Sequence, residues 1–177
     1  PRGGSDFKRR DGKPAPRGPR RDAQKQTDSR PKFDAPLIPE EILAEDLHIS
    51  VRAQLKTLSD ENQEIVARHL LMVSMLIETD PELAHRHALA ASKKAGRIAV
   101  VRETLGVTAY TIGDFALALR ELLTHRRISG SNDQLPLIVD SERGLGRPAR
   151  AIEAASGINR SRLEVGVRIN LAIALSG

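Results

Sequence analysis

Arg143-Gly144-Leu145-Gly146-Arg147-Pro148-Ala149 follows the apolar run 135–139 and fits the pattern G-x-G-x-x-G/A. In a dinucleotide site those glycines bring the backbone close to a pyrophosphate at a helix N-terminus, and the turn follows its strand directly. Here Asp140-Ser141-Glu142-Arg143 separates Val139 from Gly144, so the glycines are expected in a turn between two helices and no nucleotide is expected. The histidines are the next candidates. His85 and His87 are two apart, which on a helix sends them to different faces and makes a poor metal pair. His69 and His125 have no Cys, Asp or Glu at a recurring ligand spacing. G-x-S-x-G, H-E-x-x-H and Walker-type lysine patterns are absent. Carboxylates such as Glu61 and Glu64 suit a solvated helix face better than an acid/base pair. The expectation is a chain with no catalytic residue, no metal and no cofactor.

Composition limits what can hold such residues in place. The 177 residues are 40% hydrophobic but only 2% aromatic, so the core must be built from Ala, Leu, Ile and Val, a mixture suited to closely packed helices. There is no cysteine, which excludes disulfides, thiolate metal sites and a cysteine nucleophile. No apolar run reaches the ~20 residues of a membrane span and no secretory signal pattern is visible, so no membrane partner and a cytoplasmic location are expected. The absence of an initiator Met leaves open that the chain is a piece of a longer protein. Arg outnumbers Lys, 21 to 7, which hints at a GC-rich bacterial source.

Charge is uneven. Residues 1–34 hold eleven Lys/Arg and five Asp/Glu, while 35–177 hold seventeen and eighteen. Residues 1–36, rich in Arg, Pro and Gly, cannot bury enough apolar surface to offset the entropy of ordering. They read as a disordered basic arm, either a solubilising tail or a segment that neutralises phosphates. From Pro39 onward the pattern is helical. Leu43, Leu47, Val51 and Leu55 at spacing four predict a helix over about 39–57. Ser59-Asp60 and Asp80-Pro81-Glu82 open two more, and further helices are predicted over 98–111, 114–126, 134–143 and 147–156.

The chain also repeats. A shift of 34, then 33, residues superposes Leu71, Leu105, Ile138 and Leu171, and likewise Ala84, Ala118 and Ala151. Leu105-Gly106, Tyr110, Gly113-Asp114-Phe115, Ala118-Leu119 and Leu122 together resemble a tetratricopeptide repeat (TPR). Neighbouring stretches 60–97 and 132–157 match more loosely, and 160–177 looks like the first helix of a fourth repeat. The resemblance implies an all-α, right-handed superhelix of helical hairpins over 37–177. Physical reasons agree: an alanine suits the crossing of two helices, and glycine at 113 allows a left-handed C-cap. Val165, Val167, Ile169, Leu171, Ile173 and Leu175 alternate as a strand would, but the repeat places them on a helix with Leu163, Val167, Leu171 and Leu175 on one face.

The resemblance further implies a peptide groove along the first helix of each repeat. By register it carries Val66, His69, Val73 and Leu76, then Val100, Glu103, Val107 and Tyr110, then Asp133, Pro136, Asp140 and Arg143. In the first repeat, Val66 and Val73 are equally open to being core residues under the helix at 39–57. The lysines and asparagines with which the chaperone-binding branch grips a terminal carboxylate are missing. Lys93, Arg127 and Arg160 share one register position, with Lys94, Arg97, Arg126 and Arg162 beside them. Cations near helix C-termini complement the helix dipole without a ligand. Stacked, they would instead form a basic stripe that, with Arg2, Lys8, Arg9, Arg10, Arg17, Arg20 and Arg21 of the arm, could hold a polyanion. The expected function is a non-enzymatic adaptor with a protein or peptide partner in the groove and an anchor to RNA or a ribonucleoprotein such as the ribosome. The alternatives are a pure protein–protein scaffold with a merely solubilising tail, or a regulatory domain of a larger enzyme.

Overall fold

A computed structural model of the chain describes residues 33–176. The chain divides into two units, Pro1–Phe33 and Asp34–Gly177, and the described helices all belong to the second. The expected disorder of the arm lies almost wholly outside the described residues. Residues 33–39 carry no regular secondary structure. The described residues are all-α, with eight α-helices and no strand: α1 Ile49–Leu55, α2 Asp60–Leu76, α3 Pro81–Ala95, α4 Ala99–Thr111, α5 Phe115–Ser129, α6 Leu135–Gly144, α7 Pro148–Ala155 and α8 Val165–Ser176. No helix among them is long and apolar enough to cross a membrane.

Consecutive helices form hairpins, α2 with α3, α4 with α5 and α6 with α7. His69 in the middle of α2 meets His87 in the middle of α3, and the Ala99 carbonyl at the start of α4 meets His125 near the end of α5, so the partners run antiparallel. α3 then packs on α4 and α5 on α6, which carries the stack forward. Local chemistry sets the turns. Asp80 and Asp114 cap α3 and α5 by accepting from the backbone N–H of Leu83 and Leu117 at 3.0 and 2.9 Å, and prolines open α3 and α7, where a missing N–H is tolerated. α4 and α6 end alike, the N–H of Asp114 reaching the Ala109 carbonyl and that of Arg147 the Glu142 carbonyl, each at 2.9 Å, around Gly113 and Gly146 at φ +81° and +72°. This is the six-to-one bond of a Schellman cap, made twice, 33 residues apart.

The core is aliphatic and built at the crossings. Ala84, Ala118 and Ala151 are fully buried. Leu47, Leu55, Val66, Leu70, Ala91 and Val101 form one cluster near the N-terminal end, and Leu135, Val139, Ala151, Leu171 and Ala174 another near the C-terminal end.

Two expectations need correction. The single helix over 39–57 is instead a turn, a 3-10 turn at Ala44–Asp46 and the short α1. Leu43, the first of the apolar residues at spacing four, is exposed, while Ile42 and Leu47 are buried. The stripe breaks because His48 starts a new helix, its Nδ1 accepting the N–H of Ser50. Residues 160–162, expected to open the first helix of a fourth repeat, form a 3-10 turn instead, and that helix, α8, starts only at Val165. Residues 165–176, where alternation suggested a strand, are helical, with Leu171 and Ala174 buried, Val167 and Leu175 half-buried, and Val165, Ile169 and Ile173 exposed.

Candidate functional site

The first helices of the hairpins leave two adjoining cavities. The apolar one, about 290 Å³, is lined by Leu70, Val73 and Ser74 of α2 and its C-cap Ile77, Val100, Glu103, Thr104 and Val107 of α4, and Leu47, Val51 and Gln134. The polar one, about 410 Å³, is lined by Tyr110, Asp133, Gln134, Pro136, Leu137, Asp140, Arg143, Asn170, Ile173 and Ala174. Gln134 belongs to both, and its side-chain amide donates to Glu103 Oε1 at 2.8 Å.

A chain of polar contacts organises the second cavity. The Tyr110 hydroxyl donates to Asp140 Oδ2. Arg143 Nη1 donates to Asp140 Oδ1 at 3.4 Å and to the Ala174 carbonyl at 2.8 Å, so α4, α6 and α8 are tied together. The hydrogen bond to Asp140, with burial and the aspartate's charge added, pushes the Tyr110 pKa up to about 12. The phenol therefore stays a neutral donor at ordinary pH.

Of the groove residues read from the sequence, Val100, Glu103, Val107, Tyr110, Asp133, Pro136, Asp140 and Arg143 line these cavities, with Val73. Val66 and His69 do not: both are buried, Val66 in the core beneath Leu47 and Leu55. Leu76 packs with Val73, Ala84, Ala88 and Leu105. On α2 the lining shifts by one residue, to Leu70, Ser74 and Ile77 beside Val73. Leu47 and Val51 from the preceding segment share that cavity. The repeat register cannot show this, because only the first repeat has such a neighbour.

His69 instead makes a buried pair with His87, Nδ1 to Nδ1 at 2.9 Å. His87 Nε2 is buried without a partner. Assigning the shared proton to His87 Nδ1 makes that orphan a bare acceptor, which costs less than a buried unpaired N–H. Burial, then His87, Arg68 and Lys94, lowers the His69 pKa to about 4. Burial and Arg86 lower that of His87. His85 turns to the other neighbour and meets Thr108 Oγ1 at 3.0 Å; burial lowers its pKa against the opposing pull of Asp114 and Glu82. No group of three or more His, Asp or Glu among the described residues is arranged to hold a metal ion.

The basic residues separate into groups. Lys93, Lys94 and Arg97 gather with Thr57, Ser92 and Arg102 around a cavity of about 480 Å³ where α3 hands over to α4. Arg126 and Arg127 lie in the last turn of α5. Arg160 and Arg162 lie in the 3-10 turn, Arg162 lining a separate cavity with Asn132, Asp133 and Asn159. Arg2, Lys8, Arg9, Arg10, Arg17, Arg20 and Arg21 lie outside the described residues. Periodicity alone missed a buried carboxylate. Glu121, almost fully buried, takes Arg102 Nη1 at 2.5 Å on Oε2 and Arg120 Nε at 2.9 Å on Oε1.

No protein-family model, curated protein or solved structure matches the chain.

Proposed function

We propose that the chain is a non-enzymatic adaptor of tetratricopeptide-repeat type, a right-handed stack of hairpins whose first helices hold a segment of a partner protein. The observation that carries this reading is the pair of adjoining cavities along those helices, apolar between α2 and α4 and polar between α4, α6 and α8, with Gln134 common to both. The apolar lobe suits aliphatic anchors, and Asp140, Arg143 and Tyr110 suit the polar contacts that fix a peptide's direction. The test is a photo-crosslinking side chain at Leu137, in the groove, compared with one at Met75, which is exposed and lines neither cavity. Crosslinks to a protein partner are expected from position 137 and not from 75, and Val107→Glu should abolish them. Equal crosslinking from both positions would overturn the reading.

A second reading, an anchor to RNA or a ribonucleoprotein, is favoured by the gathering of Lys93, Lys94 and Arg97 around one cavity and by the excess of eleven Lys/Arg over five Asp/Glu in residues 1–34. It requires RNA binding that weakens as salt rises. Binding indifferent to salt, or unchanged on removing residues 1–34, argues for the scaffold alone.

A further inference from the structure

We propose that the cavity at the α3–α4 corner is a phosphate subsite, which takes a backbone phosphodiester of a nucleic acid strand on Lys94 and Arg97, with Lys93 beside them. This rests on the polyanion reading and narrows it from a stripe along several hairpins to one corner.

Among the described residues, this cavity is lined by the cationic Lys94, Arg97 and Arg102 with Lys93 beside them, by the hydroxyl residues Thr57 and Ser92, and by no carboxylate. The two groove cavities and the one beside Arg162 each include a carboxylate. The dipole of α3 accounts for cations in its own last turn, Lys93 and Lys94. It does not account for Arg97, which sits in the connection, or Arg102, which comes from α4.

Arg102 is already placed. Its Nε donates to the Gly96 carbonyl at 2.5 Å and its Nη1 to the buried Glu121 at 2.5 Å. That carboxylate, which Arg120 also grips, fixes Arg102 as a wall, while the exposed Lys94 and Arg97 stand free of it. Lys94 is loosely positioned by Asn62, with Nζ to Oδ1 at 3.4 Å. α4 begins at the same wall, and its N-cap Ile98 offers no side-chain acceptor to the first-turn N–H groups, so its positive end offsets the negative end of α3 at the corner. A volume of about 480 Å³ falls within the range that holds small ligands, so a phosphodiester can enter with its sugar. A nucleic acid strand fits better than a bilayer: the site is concave, and its large apolar members, Leu58 and Ile98, are half-buried and pack onto the core rather than standing free to insert. The Arg-rich arm has few aromatics for stacking, so it too would contact phosphates and not bases.

The experiment uses the full chain and three probes: a short labelled RNA strand, its DNA counterpart, and vesicles of anionic lipid, each titrated across salt. The double variant Lys94→Gln/Arg97→Gln should weaken strand binding by about tenfold and reduce the salt slope by ~1 to 2, while Arg127→Gln/Arg160→Gln changes affinity less than about twofold. RNA and DNA affinities separate the two sources of the phosphodiester. If the unaltered chain binds a strand and the Lys94/Arg97 variant binds it equally well, the subsite is overturned and the polyanion reading stands. If the chain binds neither strand, both fall, and binding to vesicles alone also overturns the subsite. Should the double variant melt early, Arg97→Gln, a change at one exposed side chain, repeats the test.

Discussion

Gly144 and Gly146 are both glycine for reasons unrelated to a nucleotide, and the reasons differ. A Cβ at Gly144 would lie 2.5 Å from the Phe115 ring, whereas one at Gly146 would meet nothing but sits at φ +72°. Gly106 is crowded by backbone as well as side chain, its Cβ falling 2.7 Å from the Leu122 side chain and 3.2 Å from the Leu122 backbone N. Leu122 is fully buried and its backbone cannot swing aside. Gly106→Ala should therefore destabilise by about 1 to 3 kcal/mol, and Gly146→Ala by roughly 1 kcal/mol from backbone strain alone. Urea denaturation ranks them, and a harmless Gly106→Ala would mean that the α4–α5 crossing has room to spare. The sequence showed the turn at Gly146 through the repeat register. It could not show the ring over Gly144, because residues 115 and 144 meet only once α5 and α6 have packed. The histidine pair was illegible for the same reason. Its pKa values lie below the unfolded value, so the unfolded chain takes up protons first as pH falls. Stability should be intact above about pH 6.5 and decline toward about pH 4, the window between the ordinary and folded values of His69. His69→Gln should reduce the loss between neutral and mildly acidic pH, and an unchanged loss would assign it to other groups.

At the scale of the element, the capping residues decide which helices needed their neighbours. α3 and α5 start under Asp80 and Asp114, whose carboxylates accept backbone N–H groups, but Arg147 gives α7 no side-chain cap. α7 runs only eight residues. Asp114→Ala should lower stability by about 1 kcal/mol, and Arg147→Asp should raise it by up to about 1 kcal/mol by making the missing cap, less the loosely formed Arg147–Glu142 pair at 3.8 Å. Thermal unfolding of the two variants checks both directions. Helices with such punctuation were readable to within a residue or two at their starts. The segment before α2 was not, because Leu43, Leu47, Val51 and Leu55 keep a helical spacing across a break that His48 makes locally. α8 shows the opposite conflict, alternating β-branched residues that nonetheless form a helix. Its buried Leu171 and Ala174 answer to α6, so packing overrode propensity.

Across the whole described fold, stability is expected to be regional, because each hairpin packs mainly on its sequence neighbours and such stacks gain stability from nearest-neighbour interfaces. α8 is the exposed end of this arrangement. It buries Leu171 and Ala174 against α6 while Val165, Ile169 and Ile173 remain exposed. Arg143 of α6 tethers it from outside: the guanidinium holds the Ala174 carbonyl at 2.8 Å and is steadied by the aspartate that Tyr110 also grips. Arg143→Met keeps much of the aliphatic stem and removes that tether. α8 should then open more often, its backbone amides exchanging roughly tenfold faster, while amides of α4 and α5 keep their protection. Tyr110→Phe should have a weaker effect in the same place, since it loosens Asp140 without freeing Ala174. Hydrogen exchange followed by mass spectrometry resolves the regions. Uniform acceleration from α2 to α8 would show instead that the stack unfolds as one cooperative unit and that the polar lobe of the groove is no more mobile than its core.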